Sequence, residues 1–153
     1  MRDWPQPTTV KEVRRCVGYY RRFVPSFAHI ANPLMVMTRG TRSFIWSDTK
    51  EEAFQALRQA LCETPVLPYP TRTGEFVLYT DASAEAIGSV LSQRQADGEK
   101  VIAYASKPFS RIQTQYCITH RELFAIMTFV KYFHHNLCGR PFTIITDHAD
   151  MAV

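Results

Sequence analysis

The stretch that decides the fold is Phe76–Gln93, FVLYTDASAEAIGSVLSQ. An apolar run, Phe76-Val77-Leu78-Tyr79, ends on Asp81 and gives way to small residues. Asp and Ser are common where strands stop, because their side chains bond nearby backbone amides. A strand end is also a rigid place to hold a charge for chemistry. One aspartate does not separate a turn from a site, so the reading has to be extended in both directions.

Downstream, EFVLYTD reads as a strand and AIGSVLSQRQ as a second. ADGE reads as a tight turn of the Asp-Gly type, and KVIAYASKPF as a third strand, giving an antiparallel meander. THRELFAIMTFVKYFHHNLCG then reads as a helix. Thr119 is its expected cap, Leu123, Ile126, Met127, Val130, Phe133 and Leu137 its apolar face, and Gly139 its stop. RPFTIITD is a fourth strand, reached through that helical crossover and so expected parallel to one of the first three. The order β-β-β-α-β predicts an α/β fold leaning to α+β: a mixed sheet with a helix on one face.

Upstream the period is helical. In PTTVKEVRRCVGYYRRFVPSF, Thr8 or Thr9 can cap, with Glu12 three residues after Thr9. Val10, Val13, Val17, Tyr20 and Val24 recur at helical spacing, while Lys11, Arg14, Arg15, Arg21 and Arg22 fall largely on other faces. That is an amphipathic helix with a basic side, ending before Pro25. A shorter helix through FAHIANPLMVMT follows, and then one capped by Ser47 or Asp48, with Ala53, Phe54, Leu57 and Leu61 as its stripe. Pro65, Pro68 and Pro70 punctuate the connection, placing a boundary near Thr71–Gly74. The expected division is 1–45 helical, 46–73 connecting helix and Pro-rich linker, and 74–153 sheet domain.

With 153 residues, 46% of them hydrophobic, the chain can bury a real core, which argues against wholesale disorder. No apolar run approaches the ~18–20 residues of a membrane span, and MRDWPQPTT has no signal-peptide apolar region, so an intracellular protein, cytoplasmic or nuclear, is expected. Cys16, Cys62, Cys117 and Cys138 form no C-x-x-C pair. His134-His135 with Cys138 make half of a zinc pattern without a second half, and are expected to decorate a helix end. Residues 1–73 hold 11 Lys/Arg against 6 Asp/Glu, and residues 74–153 hold 7 against 8. A basic half beside a slightly acidic one suits contact with a polyanion next to a cation site, although ordinary surface charge gives the same count. Arg94, Lys100 and Lys107 read equally well as backbone contacts or as solvated strand charges.

The second strand to end on a carboxylate answers the opening question. FTIITDH puts Asp147 after an apolar run as FVLYTD put Asp81, and THRELFAI puts Glu122 near the start of the helix between them. Three carboxylates brought close repel one another unless cations hold them. Hard oxygen ligands that leave positions open to water and phosphate suit Mg²⁺.

The succession YTDAS…IGSVLSQ…VIAYASKPFS…T-x-R-E-L-x-A-I…L-x-G-R-x-F-x-I-x-T-D-H closely resembles the ribonuclease H domain of gypsy-type LTR-retrotransposon Pol polyproteins. DWPQPTTVKEVR…GYYRRFVPSFAHIANPL…PVLPYP resembles the end of the reverse transcriptase, its thumb and connection. The resemblance covers nearly the whole chain. It implies Asp81, Glu122 and Asp147 as catalytic and metal-binding carboxylates of a two-ion Mg²⁺ or Mn²⁺ site, and hydrolysis of the RNA strand of an RNA/DNA hybrid. It implies nucleic acid, and the remainder of a Pol polyprotein, as partners.

The sequence also departs from that family. The paired polymerase aspartates are absent, so no DNA synthesis is expected. VGYYRRF lacks about three residues, less than a whole turn, so the faces of the first helix are expected to lose alignment after Gly18. The chain ends at Val153, before the family's last metal-binding Asp, so weak or no activity and marginal stability are expected unless another chain completes the site. A non-cutting nucleic-acid- or protein-binding module and a relic reading frame are the alternatives. His148 is expected to close a turn, and His120 stands where the family often has an acid.

Overall fold

The computed structural model describes residues 4–38, 43–63 and 67–147. Helix α1 spans Val10–Tyr20 with Thr9 as its N-cap, whose hydroxyl accepts from the Glu12 amide at 3.2 Å. The Glu12 carboxylate reaches back to the Thr8 amide at 2.8 Å, one residue further out than in the usual reciprocal cap. The Thr8 amide and hydroxyl hold the Glu12 carboxyl below its ordinary range. The expected misalignment after Gly18 does not occur. Val13 and Cys16 are buried, Val17 and Tyr20 half-buried, and the Tyr20 ring meets Trp4 edge-on at 5.0 Å. The helix simply ends two residues past Gly18, so its apolar face keeps one spacing throughout.

Helix α2, Phe27–Met37, continues through Pro33, and α3 runs Asp48–Glu63. The Ser47 carbonyl accepts from the Lys50 and Glu51 amides at 2.9 and 3.0 Å, which starts α3 where its cap was expected. Val13, Cys16, Val24, Phe27, Ala31, Leu34, Ala53, Phe54 and Leu57 make one apolar cluster, so α3 shares its core with α1 and α2.

The sheet has β1 Phe76–Ala82, β2 Ala86–Gln95, β3 Gly98–Pro108 and β4 Phe142–Thr146, in the order β3-β2-β1-β4. The first three form the expected meander, and β4 runs parallel to β1. Residues 96 and 97 close the β2–β3 hairpin, and the positive φ of +118° falls on Gly98, just after the two turn residues. Between β3 and β4 lie a short 3₁₀ turn, Gln113–Gln115, then α4, Ile118–Tyr132, and α5, His134–Leu137, after which Gly139 turns the chain at φ +74°.

Two details of α4 correct the sequence reading. Cys117, not Thr119, precedes the helix, and it makes no side-chain cap bond; the Tyr116 ring packs against His120 and Phe124, each 6.2 Å away, and sets the chain's entry. Of the expected stripe, Phe133 and Leu137 are buried and Val130 packs on the core, but over the first turns the buried face is shifted by one residue, about 100°. Glu122, Ala125 and Phe129 face the sheet, while Leu123 and Met127 are 45% and 52% exposed. Apolar residues occupy nearly every face of this helix, so spacing alone did not choose between adjacent stripes. Phe129, Phe133 and Leu137 join Phe76, Leu78, Ile87, Leu91 and Ile102 in a second core under the sheet.

The helical layer meets the outer edge of β3. The Tyr104 amide donates to the Arg22 carbonyl at 2.9 Å, and the Ala28 amide to the Ser106 hydroxyl at 2.8 Å. At the opposite end of β1 from Asp81, the boundary segment is clamped rather than loose. Gln93, fully buried, accepts from the Thr71 amide at 2.8 Å and donates to the carbonyls of Thr71, Thr73 and Gly74 at 3.1–3.3 Å. Gly74 has φ +112°, and a Cβ there would collide with the Arg94 carbonyl oxygen. Gly74→Ala should therefore cost more than about 1 kcal/mol, read as a lower midpoint in urea denaturation. An unchanged midpoint would mean that the clamp adds nothing to stability.

Candidate metal centre

Hydrogen-bonded pairing of β1 with β4 ends at Thr80↔Thr146. The next residue of each parallel strand is an aspartate. Adjacent strands lie ~4.8 Å apart, so the shared register sets Asp81 beside Asp147 at the strands' carboxyl ends. Glu122, the fifth residue of α4, arrives from the helix above. One carboxylate oxygen from each of the three lies within 4.8 Å of the others. Asp81 and Asp147 are exposed, and Glu122 is 3% exposed.

Glu122 is tied to β4. The Thr146 hydroxyl donates to its Oε2 at 3.3 Å, and the nearby Ala82 amide also favours its charged form. Burial raises the Glu122 carboxyl above its ordinary value, the Asp147 charge raises it further and Asp81 adds to this, while Thr146 and the Ala82 amide pull the other way. Among the described residues, the two salt bridges, Arg94–Glu75 and Lys100–Asp97, lie elsewhere, so no basic side chain neutralises the trio. Three hard oxygen donors, one buried and mutually repelled, fit a divalent cation.

A pH experiment reads this directly. The folded chain holds the Glu122 proton more tightly than the unfolded chain, whose value is near 4.5. Its contribution to stability is present below that pH and is lost as pH rises through the higher folded value. In EDTA at neutral pH, Glu122→Gln should melt a few degrees above wild type, with the gap closing toward pH 4. Adding Mg²⁺ should raise the wild-type melting temperature and leave the variant unmoved. Equal melting of both proteins at every pH would refute the strained carboxylate.

The other sequence-derived candidates are placed differently. Lys11, Arg14, Arg15, Arg21 and Arg22 are all exposed. Arg14 donates to the Thr38 carbonyl at 2.9 Å, and the Arg21 and Arg22 guanidinium groups lie over the rings of Tyr132 and Phe23, 5.5 and 5.3 Å from their centroids. Arg94 and Lys100 pair with Glu75 and Asp97, and Lys107 sits 5.4 Å over the Phe124 ring. His134, His135 and Cys138 are exposed around α5. His148 lies outside the described residues. The sequence reading missed Thr146 and the Ala82 amide. The signal for Thr146 was present: both acid-ended strands finish on the same dipeptide, Thr80-Asp81 and Thr146-Asp147.

A mixed sheet with a helical crossover, and carboxylates gathered at the ends of its parallel strands, is the architecture of RNase H-like proteins. Residues 46–144 match the model of the RNase H-like domain found in reverse transcriptase, and the chain belongs to that family. The chain is 32% identical over 155 aligned residues to the Transposon Tf2-3 and Tf2-4 polyproteins of Schizosaccharomyces pombe (strain 972 / ATCC 24843). That alignment takes in 97% of this chain and 12% of each polyprotein, in keeping with the resemblance to LTR-retrotransposon polyproteins. Among solved structures, it is similar to a foamy viral protease-reverse transcriptase dRH in complex with double-stranded DNA, with TM-score 0.82, 21% identity, and coverage of 97% of this chain and 27% of that one. The foamy viral protease-reverse transcriptase in complex with an RNA/DNA hybrid matches with TM-score 0.79, 20% identity, and coverage of 95% and 20%. No helix among the described residues is long and apolar enough to cross a membrane.

Proposed function

We propose that the chain carries the nuclease centre of a retroelement reverse transcriptase, hydrolysing the RNA strand of an RNA/DNA hybrid with Asp81, Glu122 and Asp147 holding Mg²⁺ or Mn²⁺. The carrying observation is the convergence of three carboxylates from β1, α4 and β4 within 4.8 Å, with no basic side chain among the described residues to neutralise them. Asp81, Glu122 and Asp147 would hold such ions, which when bound would supply activation of a water and stabilisation of the leaving oxygen of a phosphodiester. The protein's own part is positional. The parallel register fixes the spacing of the two aspartates, and burial fixes Glu122 between them. Exposed Asp81 and Asp147 leave a side open to a phosphate backbone.

Lys11, Arg14, Arg15, Arg21 and Arg22 are proposed to meet nucleic-acid phosphates. Lys11 and Arg15 are the best placed of the five, since Arg14 is tied to Thr38 and the two later arginines lie over rings. The proposed division remains 1–45, 46–73 and 74–153. Its second boundary is supported by the segment that Gln93 clamps, which lies in sequence between the residues of the two apolar cores. The rest of a Pol polyprotein is the proposed protein partner.

The test is cleavage of an end-labelled RNA/DNA hybrid in Mg²⁺, Mn²⁺ and EDTA. Metal-dependent cuts that leave a 3′-hydroxyl and a 5′-phosphate are expected. Salt-dependent hybrid binding without cleavage, from a folded sample, would instead favour a binding module.

A further inference from the structure

Glu122 presents a particular difficulty for a metal ligand. Its side chain is long, three rotatable bonds separate its carboxylate from the helix, and a carboxylate free to turn loses entropy each time it binds an ion. We infer that Thr146 is the positioning residue for Glu122: its hydroxyl fixes one carboxylate oxygen so that the rest of the group is presented to the cation. This rests on the metal reading proposed above and deepens it.

Three observations carry the inference. Thr146 donates to Glu122 Oε2 at 3.3 Å, a link between β4 and α4 that no sequence periodicity requires. Thr146 is β-branched, so its χ1 is stiff, and its place is set by the last registered pair of the parallel ladder. Its registered partner Thr80 supplies the internal comparison. Thr80 has the same hydroxyl and is 4% exposed, yet its Oγ1 has no hydrogen-bond partner. A buried hydroxyl in this part of the sheet does not find a bond automatically, and only the one on the Asp147 strand engages the glutamate.

The chemistry suits the role. A neutral hydroxyl orients the carboxylate without cancelling its charge, whereas Lys or Arg in its place would compete with the ion. Groups that orient metal ligands in this way typically alter affinity by 10–100-fold when removed.

The experiment is Mn²⁺ binding to the full chain, followed by calorimetry and by water-proton relaxation, with Thr146→Val, Thr146→Ser, Thr80→Val and Asp81→Asn beside wild type. Thr146→Val should weaken Mn²⁺ by roughly tenfold or more, and Thr146→Ser should recover most of it. Thr80→Val should bind as wild type does, and all variants should keep their far-UV circular dichroism. Wild-type affinity in Thr146→Val, or a Thr146→Ser as weak as Thr146→Val, would overturn the positioning role alone. Failure of the folded wild type to bind Mn²⁺ would overturn the metal reading and this inference with it.

Discussion

Replacing Asp81 by Asn should lower the rate of hybrid cleavage by at least about a thousandfold while leaving the protein folded. The side chain keeps its size and loses its charge. It is exposed at the end of β1, so no core contact depends on it. Relief of its repulsion on Glu122 should even raise the melting temperature slightly in EDTA. What disappears is one of the three charges that would hold a cation. Metal-ion catalysis contributes several kcal/mol of transition-state stabilisation, and at about 1.4 kcal/mol per tenfold a thousandfold loss is about 4 kcal/mol. The measurement is the initial rate on an end-labelled hybrid in Mg²⁺ and in Mn²⁺, with hybrid affinity from a salt titration of anisotropy. Binding should persist if, as proposed, it draws on exposed basic residues such as Lys11 and Arg15 rather than on the carboxylates. An Asp81→Asn variant that cuts at the wild-type rate would remove the carboxylates from the reaction. A folded wild type that does not cut in either metal would remove the nuclease assignment from this chain.

The second large effect is structural and tests the rotation of α4. Phe129 is 1% exposed among Phe76, Leu78, Ile87 and Leu91. Phe129→Ala removes an aromatic ring from a site that the surrounding strands cannot easily collapse to fill, and should cost about 3–5 kcal/mol. For a chain of this size, that is a fall of roughly 10 °C in melting temperature. Met127 lies two positions earlier on the same helix and is 52% exposed, so Met127→Ala should stay within about 0.5 kcal/mol of wild type. Urea denaturation of the pair separates the two orientations of the helix. A large loss at Met127 with a small one at Phe129 would mean that α4 presents the stripe read from sequence. Glu122 sits on the face of Phe129, two turns earlier, so loosening this contact should weaken Mg²⁺ binding as well.

That stripe shows how the sequence was legible and where it was not. The strands, the crossover helix and the parallel return were readable because period-2 and period-3.6 patterns alternate cleanly and turn residues separate them. The convergence of the three carboxylates was readable for a different reason: two apolar runs end on Asp, and a helix between them begins near a Glu. The orientation of α4 was not readable from hydrophobicity, since Leu123, Phe124, Ala125, Ile126 and Met127 offer an apolar residue on every side. The chemistry already contained the answer. A Glu122 aimed at the strand-end aspartates brings Ala125 and Phe129 with it, and Leu123 and Met127 then have to face outward. The clamp at Gln93 left no trace in the sequence either, because a glutamine on a strand ordinarily points into water. Only the fold shows that a linker returns over it.

The two edges of the sheet differ. On one side, β3 is joined to the helical layer through Tyr104 and Ser106. On the other, β4 is the last strand in the order, with Ile144 and Ile145 each more than a third exposed. Such a ladder, unpaired among the described residues, is a template on which another extended segment can crystallise hydrogen bonds, including a second copy of the same chain. The strand that leads into Asp147 is thus also an open edge, and whatever covers that ladder would lie beside the carboxylate cluster.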